Sequence, residues 1–123
     1  MQYYTGFDNC DHLQLFLRCL GPAAYNLKYK CQKLTVEEQL ILTLIKLRQA
    51  KCNRELSLFF NISESTVSKI IHTWVNFMFY QLKEINIWPS FDIVQRNMPA
   101  AFKPFSSTRI ILDATEIPIE KPS

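Results

Sequence analysis

The stretch from Asn53 to Trp74, NRELSLFFNISESTVSKIIHTW, leaves this chain few ways to fold. It reads as a short helix from Arg54 to Phe60, a tight turn at Asn61-Ile62-Ser63, and a long helix that starts after Ser63. With Asn61 as the ninth position of a helix-turn-helix, Leu56, Phe60, Ile62, Val67 and Ile70 occupy the positions that must be apolar. Ser57 falls where the two helices approach most closely and only a small side chain fits. Two helices that cross steeply over a shared core require this steric pattern. Ser63 suits the N-cap, because its hydroxyl can accept from an orphan N–H of the next turn. Asn61 suits the turn, because Asn enters left-handed backbone more readily than most residues.

That register also sets the outward stripe of the long helix. Ser65, Lys69, His72 and Asn76 share one face, flanked by Thr66 and Ser68, while Val67, Ile70, Ile71, Trp74, Val75 and Met78 point the other way. A narrow, polar, weakly basic stripe can enter a DNA major groove and meet base edges with donors and acceptors. An ordinary amphipathic helix with a solvated face would show the same stripe. The joint match of apolar positions, small residue and capped turn favours the DNA reading over it. The candidate contacts are Ser63, Ser65, Thr66, Ser68, Lys69 and His72. Glu64 works against phosphate at the helix start; a cytosine amino group is the partner it could accept from.

Bulk properties narrow the classes. The chain has 123 residues, 48% of them hydrophobic, which excludes a disordered tail and allows one ordinary domain or a small domain plus the start of another. The net charge of +3 is too mild to argue for or against nucleic acid, and most of the excess lies before Leu34, in Arg18, Lys28, Lys30 and Lys33. Cys10, Cys19, Cys31 and Cys52 have no zinc-ligand spacing and fit a reducing compartment as small, buried or part-buried residues. The polar N-terminus carries no signal peptide, and no apolar run reaches the roughly 20 residues of a membrane span.

Along the chain, Tyr3 to Phe7 is an aromatic lead-in and Asp8 is placed to cap a helix from Asn9 to Leu20, ended by Gly21-Pro22. Ala23 to Lys33 follows as a loop or a weak turn of helix, with three lysines. Thr35 and Glu38 form a capping box for a helix that runs to about Ala50, with Leu40, Leu44, Ile45 and Leu47 as its apolar stripe. This helix supplies the third member that a helix-turn-helix pair needs to bury a core. The long helix continues to Ile85, with its C-terminal half expected on the Asn9–Leu20 helix or on a following domain. Ser90 is placed to cap a further helix, with Phe91, Val94 and Met98 inward, closed at Met98-Pro99.

After Ser107 the period changes. Arg109 to Thr115 is a β-branched, almost continuous apolar run, as in a strand buried on both faces, and Glu116 to Glu120 is a second extended piece limited by Pro118. One or two strands make no stable sheet, so the chain is expected to be the front of a longer protein. Asp113 interrupts the apolar run, and a buried carboxylate is costly unless bonded or ligated. Two readings stay open for it: a metal ligand, or a strand-end Asp satisfied by backbone or by Arg109. Glu116 and Glu120 have the opposite strand parity to Asp113 and are not assigned to a metal.

Several motifs in order carry a resemblance: Tyr4-Thr5-Gly6-Phe7, Leu34 to Gln39 (LTVEEQ), Ser65 to Ile70 (STVSKI), Trp88-Pro89-Ser90, Met98-Pro99, and Ile111 to Ile117 (ILDATEI). Together they resemble the N-terminal part of DDE-superfamily transposases of the Harbinger-like group, over nearly the whole chain. The resemblance implies a nuclear protein with a DNA-binding helix-turn-helix, then an RNase H-like nuclease domain with two divalent metals, magnesium for instance, held by three acidic residues. Asp113 matches the first of these, as catalytic and metal-binding residue of a longer form; the other two would lie beyond Ser123. Two-metal chemistry needs carboxylates from several segments, so no cofactor and no nuclease activity are expected of these 123 residues.

The expected fold class is mainly α, a helix-turn-helix domain followed by a truncated start, one or two strands, of an RNase H-like α/β domain. The expected segments are 1–34 (helix and basic loop), 35–99 (helix-turn-helix domain), 100–108 (connector) and 109–123 (first strands). The implied partner is DNA at the terminal repeats of a transposable element, with no membrane. The competing reading is a domesticated or decayed remnant that acts through a homo-oligomer or an accessory protein, by way of Trp74, Phe77, Phe79 and Tyr80.

Overall fold

A computed structural model describes residues 1–112 of the chain. Asp113, Glu116 and Glu120 lie outside the described residues, as does most of the expected strand segment. The chain divides into two compact units, Met1–Ile85 and Asn86–Ser123.

The first unit begins with a single helical turn, α1 (Gln2–Thr5), which closes on Gly6 at φ 86°. Glycine suits that site: φ is positive, and a Cβ there would stand 3.2 Å from Arg48 Nη1. Arg48 Nε and Gln49 Nε2 both donate to the Tyr3 carbonyl, at 3.2 and 2.8 Å, and tie this turn down. Helix α2 spans Cys10–Cys19 and buries Leu13 and Leu17. Its cap is Asn9, whose side chain accepts from His12 N–H, rather than Asp8. Asp8 sits one residue too early and lies 3.6 Å from the His12 ring instead. A 3-10 turn (Pro22–Asn26) follows, with Ala24 buried.

Helix α3 (Val36–Gln49) starts with the expected capping box: Thr35 accepts from Glu38 N–H, and Glu38 accepts from Thr35 N–H at 2.7 Å. Its buried face is Gln39, Leu40, Leu42, Thr43 and Ile45. Leu47, expected inside, is 58% exposed, and Leu42, not expected, is fully buried. Neighbours on both flanks give α3 a face wider than one stripe, which the heptad-like spacing of leucines alone does not reveal. Helix α4 (Asn53–Phe60) buries Leu56 and Ser57. Asn61 then takes left-handed backbone, φ 50° and ψ 48°, and turns the chain. Helix α5 (Glu64–Lys83) is the longest and buries Val67, Ile70, Trp74 and Met78. It ends at Lys83, two residues short of the expected Ile85.

The core is one cluster. Leu13, Leu17 and Leu20 pack with Leu40, Leu42, Leu56, Val67, Ile70, Trp74 and Met78. Gln81 Nε2 donates to the Leu20 carbonyl at 2.7 Å, so the C-terminal part of α5 does meet the end of α2. One polar link runs through the core: Trp74 Nε1 donates to Gln39 Oε1 at 3.4 Å, and Gln39 Nε2 donates to the Leu34 carbonyl at 3.0 Å. No buried side-chain nitrogen or oxygen among the described residues lacks a partner.

The second unit holds helix α6 (Phe91–Arg96) and a 3-10 segment (Ala100–Phe105). Ser90 takes the N-cap position of α6 but makes no side-chain cap bond, and Phe91, expected inward, is 45% exposed. Arg109 lies over the Phe91 ring, 5.6 Å from its centroid. No strand is present among the described residues, and Arg109 to Leu112 run without one. An apolar β-branched run becomes a strand only where a partner completes its hydrogen-bond ladder, and the described residues offer none.

Two outcomes follow for stability in urea. Trp74→Ala should lower the unfolding free energy by about 3–5 kcal/mol, the cost of removing a large buried aromatic. Asn61→Gly should change it by a few tenths, whereas Asn61→Val should cost about 1–2 kcal/mol, because a branched side chain opposes left-handed backbone.

Candidate nucleic-acid interface

The outward face of α5 is built from its cap upward. Ser63 Oγ accepts from Thr66 N–H at 3.2 Å and bonds the hydroxyls of Ser65 and Thr66, each at 2.9 Å. A hydroxyl has one proton and two lone pairs, so three partners saturate it. Ser63 is therefore committed to starting the helix, and DNA could engage it only by displacing a neighbour. Ser65 and Thr66 keep spare capacity and remain available to a phosphate or a base edge. Ser65 is exposed and Thr66 half-buried.

Further along, Ser65, Lys69, His72 and Asn76 are all exposed, and Ser68 is half-buried at the stripe's edge. His72 Nδ1 lies 2.8 Å from the Ser68 carbonyl oxygen. A carbonyl only accepts, so this geometry assigns the proton to Nδ1. Nε2 is then an acceptor in the neutral ring and a donor in the imidazolium. Lys69 Nζ lies 5.8 Å from the centre of the Tyr29 ring, which restrains its long side chain over the loop before α3. Thr73 turns its hydroxyl back to the Lys69 carbonyl at 2.8 Å and offers little outward.

The six candidate contacts thus lie on the first two and a half turns of one helix. Five of them are free to contact a ligand, and Ser63 holds the cap. The loop beside them was not among the expected contacts. Tyr29, Lys30, Cys31, Gln32 and Lys33 flank Ile62, Ser63 and Thr66 around a groove of about 330 Å³. The excess of cations before Leu34 was visible in sequence, but its position beside α5 was not. Asp113 can be given no place, since it lies outside the described residues. Among those residues no three His, Cys, Asp or Glu side chains group so as to hold a metal ion, and no helix is long and apolar enough to cross a membrane.

Trp74, one of the aromatics expected at a protein interface, is 1% exposed and belongs to the core. Its side chain is spent on α3 and cannot serve a partner. Phe79 and Tyr80 are 63% and 60% exposed.

Residues 32–84 match the family model described as the helix-turn-helix of DDE superfamily endonuclease. The matched range takes in α3, α4 and α5, the three helices that form and support the turn at Asn61. No curated protein and no solved structure matches the chain. The similarity supports a helix-turn-helix of the DDE transposase type over that segment, and with it DNA as the partner.

The cap can be separated from the rest of the face. Ser63→Ala should destabilise the fold by about 1 kcal/mol through the lost cap. Ser65→Ala, on the exposed stripe, should stay within about 0.5 kcal/mol of the parent in the same chemical denaturation series.

Proposed function

We propose that this chain is a DNA-binding module of a transposase and that α5 reads the major groove. One observation carries the reading: an exposed polar stripe, set by a left-handed turn and a saturated cap, within the segment that matches the helix-turn-helix family. Lys69 is placed to reach a guanine edge or a phosphate, and His72 Nε2 to accept from a base amino group. Ser65, Thr66 and Ser68 hydroxyls position the helix on the backbone. The motif order quoted above supports the finer assignment to the Harbinger-like group, with terminal repeats as the DNA and the nucleus as the place of action. For a longer form, Asp113 is the residue we assign to a divalent metal.

A second reading has its own support. Val75, Phe79 and Leu82 are exposed at helical spacing on the far half of α5, an apolar strip that self-association or an accessory protein would cover. Sedimentation without DNA distinguishes it: a dimer would favour that reading, and a monomer would count against it.

The DNA reading is tested by fluorescence anisotropy at fixed salt. If Lys69 reads a base, Lys69→Ala should cost about 1–3 kcal/mol on the preferred site and little on others. If it holds a phosphate, every sequence should weaken alike and the salt slope should fall by about one phosphate's worth. Binding unchanged by Lys69→Ala would count against this face of α5 as the reader.

A further inference from the structure

The segment between the 3-10 turn and α3 has no regular structure, yet its side chains alternate. Leu27, Tyr29 and Cys31 are part-buried and pack against the core. Lys28 and Lys30 between them are exposed, as is Lys33 beyond. The inward residues fix the backbone at three points, and the cations are left on the surface. Lys30 Nζ has a single long bond, 3.4 Å to Asn26 Oδ1.

The strap runs beside the start of α5. The groove between them is lined by Tyr29, Lys30, Cys31, Gln32 and Lys33 on one wall and by Ile62, Ser63 and Thr66 on the other. Two of these residues are cations and none is acidic; Glu64 is exposed and does not line the groove. Lys69, leaning over Tyr29, adds a third positive charge at its edge. Lys30 and Lys33 line the same groove, and among the described residues neither pairs with a carboxylate. An anion on the DNA backbone supplies what is missing.

We propose that residues 28–33 form a phosphate-binding strap, in which Lys30 and Lys33 grip the DNA backbone beside the groove that α5 enters. This rests on the DNA reading of α5 and adds a second contact surface to it. As phosphate contacts, Lys30 and Lys33 contribute affinity and register without sequence preference. Anchoring of the strap by Tyr29 and Cys31 keeps the lysines at the edge of α5 before DNA arrives, which spares the ordering cost of a loose loop.

The test uses the full chain and a short mixed-sequence DNA duplex, with affinity measured over a salt series. Lys30→Ala/Lys33→Ala should weaken binding to all duplexes alike. The slope of log K against log salt should become shallower by about 1.8, near 0.9 for each phosphate lost. Lys30→Arg/Lys33→Arg should retain the parent slope. Arg18→Ala/Lys83→Ala removes two exposed cations elsewhere on the same unit and should leave the slope nearly as it was. Equal losses in the strap pair and this control pair would overturn the strap, and so would a strap pair that binds like the parent. A parent chain without salt-sensitive binding would instead overturn the DNA reading itself.

Discussion

Everything on the surface of α5 depends on how its inner side is held. Val67, Ile70 and Trp74 are almost wholly buried, and they press the helix against α3 and α4 over its first three turns. Trp74 contributes the largest apolar area of any residue in that seam. Its indole N–H would be an orphan there, so Gln39 is drawn inside with it. At 3.4 Å the bond is long and adds little attraction of its own. Its importance is that neither polar group is left buried without a partner, which would cost about 1–3 kcal/mol. The buried face of Val67, Ile70, Trp74 and Met78 sets the rotation of α5 about its axis, and rotation decides which side chains face outward.

The turn at Asn61 and the cap at Ser63 control the other degrees of freedom. Left-handed backbone at Asn61 redirects the chain within one residue, and Ile62 closes the gap between α4 and α5. Ser57 is small and buried where a larger side chain would push the helices apart. The hydroxyls of Ser63, Ser65 and Thr66 then form one connected group at the start of α5. The outward edge of α5 is in this way an extension of the packing beneath it. A surface of that kind is prepared before binding, so little affinity is lost to ordering side chains.

Much of this was legible along the chain. The capping box at Thr35 and Glu38, the Asn61 turn, the Ser63 cap and the apolar positions from Leu56 to Ile70 each follow from local rules, and each is seen. Misses fall where several elements meet. Leu47 and Leu42 exchange their expected roles because α3 is flanked on more than one side. Nothing within a few residues marks Gln39 as buried; Trp74, 35 positions along the chain, draws it in. Arg109 to Leu112 carry the composition of a strand, yet a strand is a property of a pair of segments and not of one.

What the amino-acid order determined by itself is local: where α3, α4 and α5 begin, where the chain turns, and which side of α5 is apolar. Those features arise from interactions within a few residues, and no distant partner can easily reverse them. Only the tertiary structure decided that Tyr29 would lie beneath Lys69 and that Lys30 and Lys33 would stand beside Ser63 and Thr66. Some thirty or more positions separate these groups in the chain. They meet because Leu27, Tyr29 and Cys31 are buried against the same core that α5 completes.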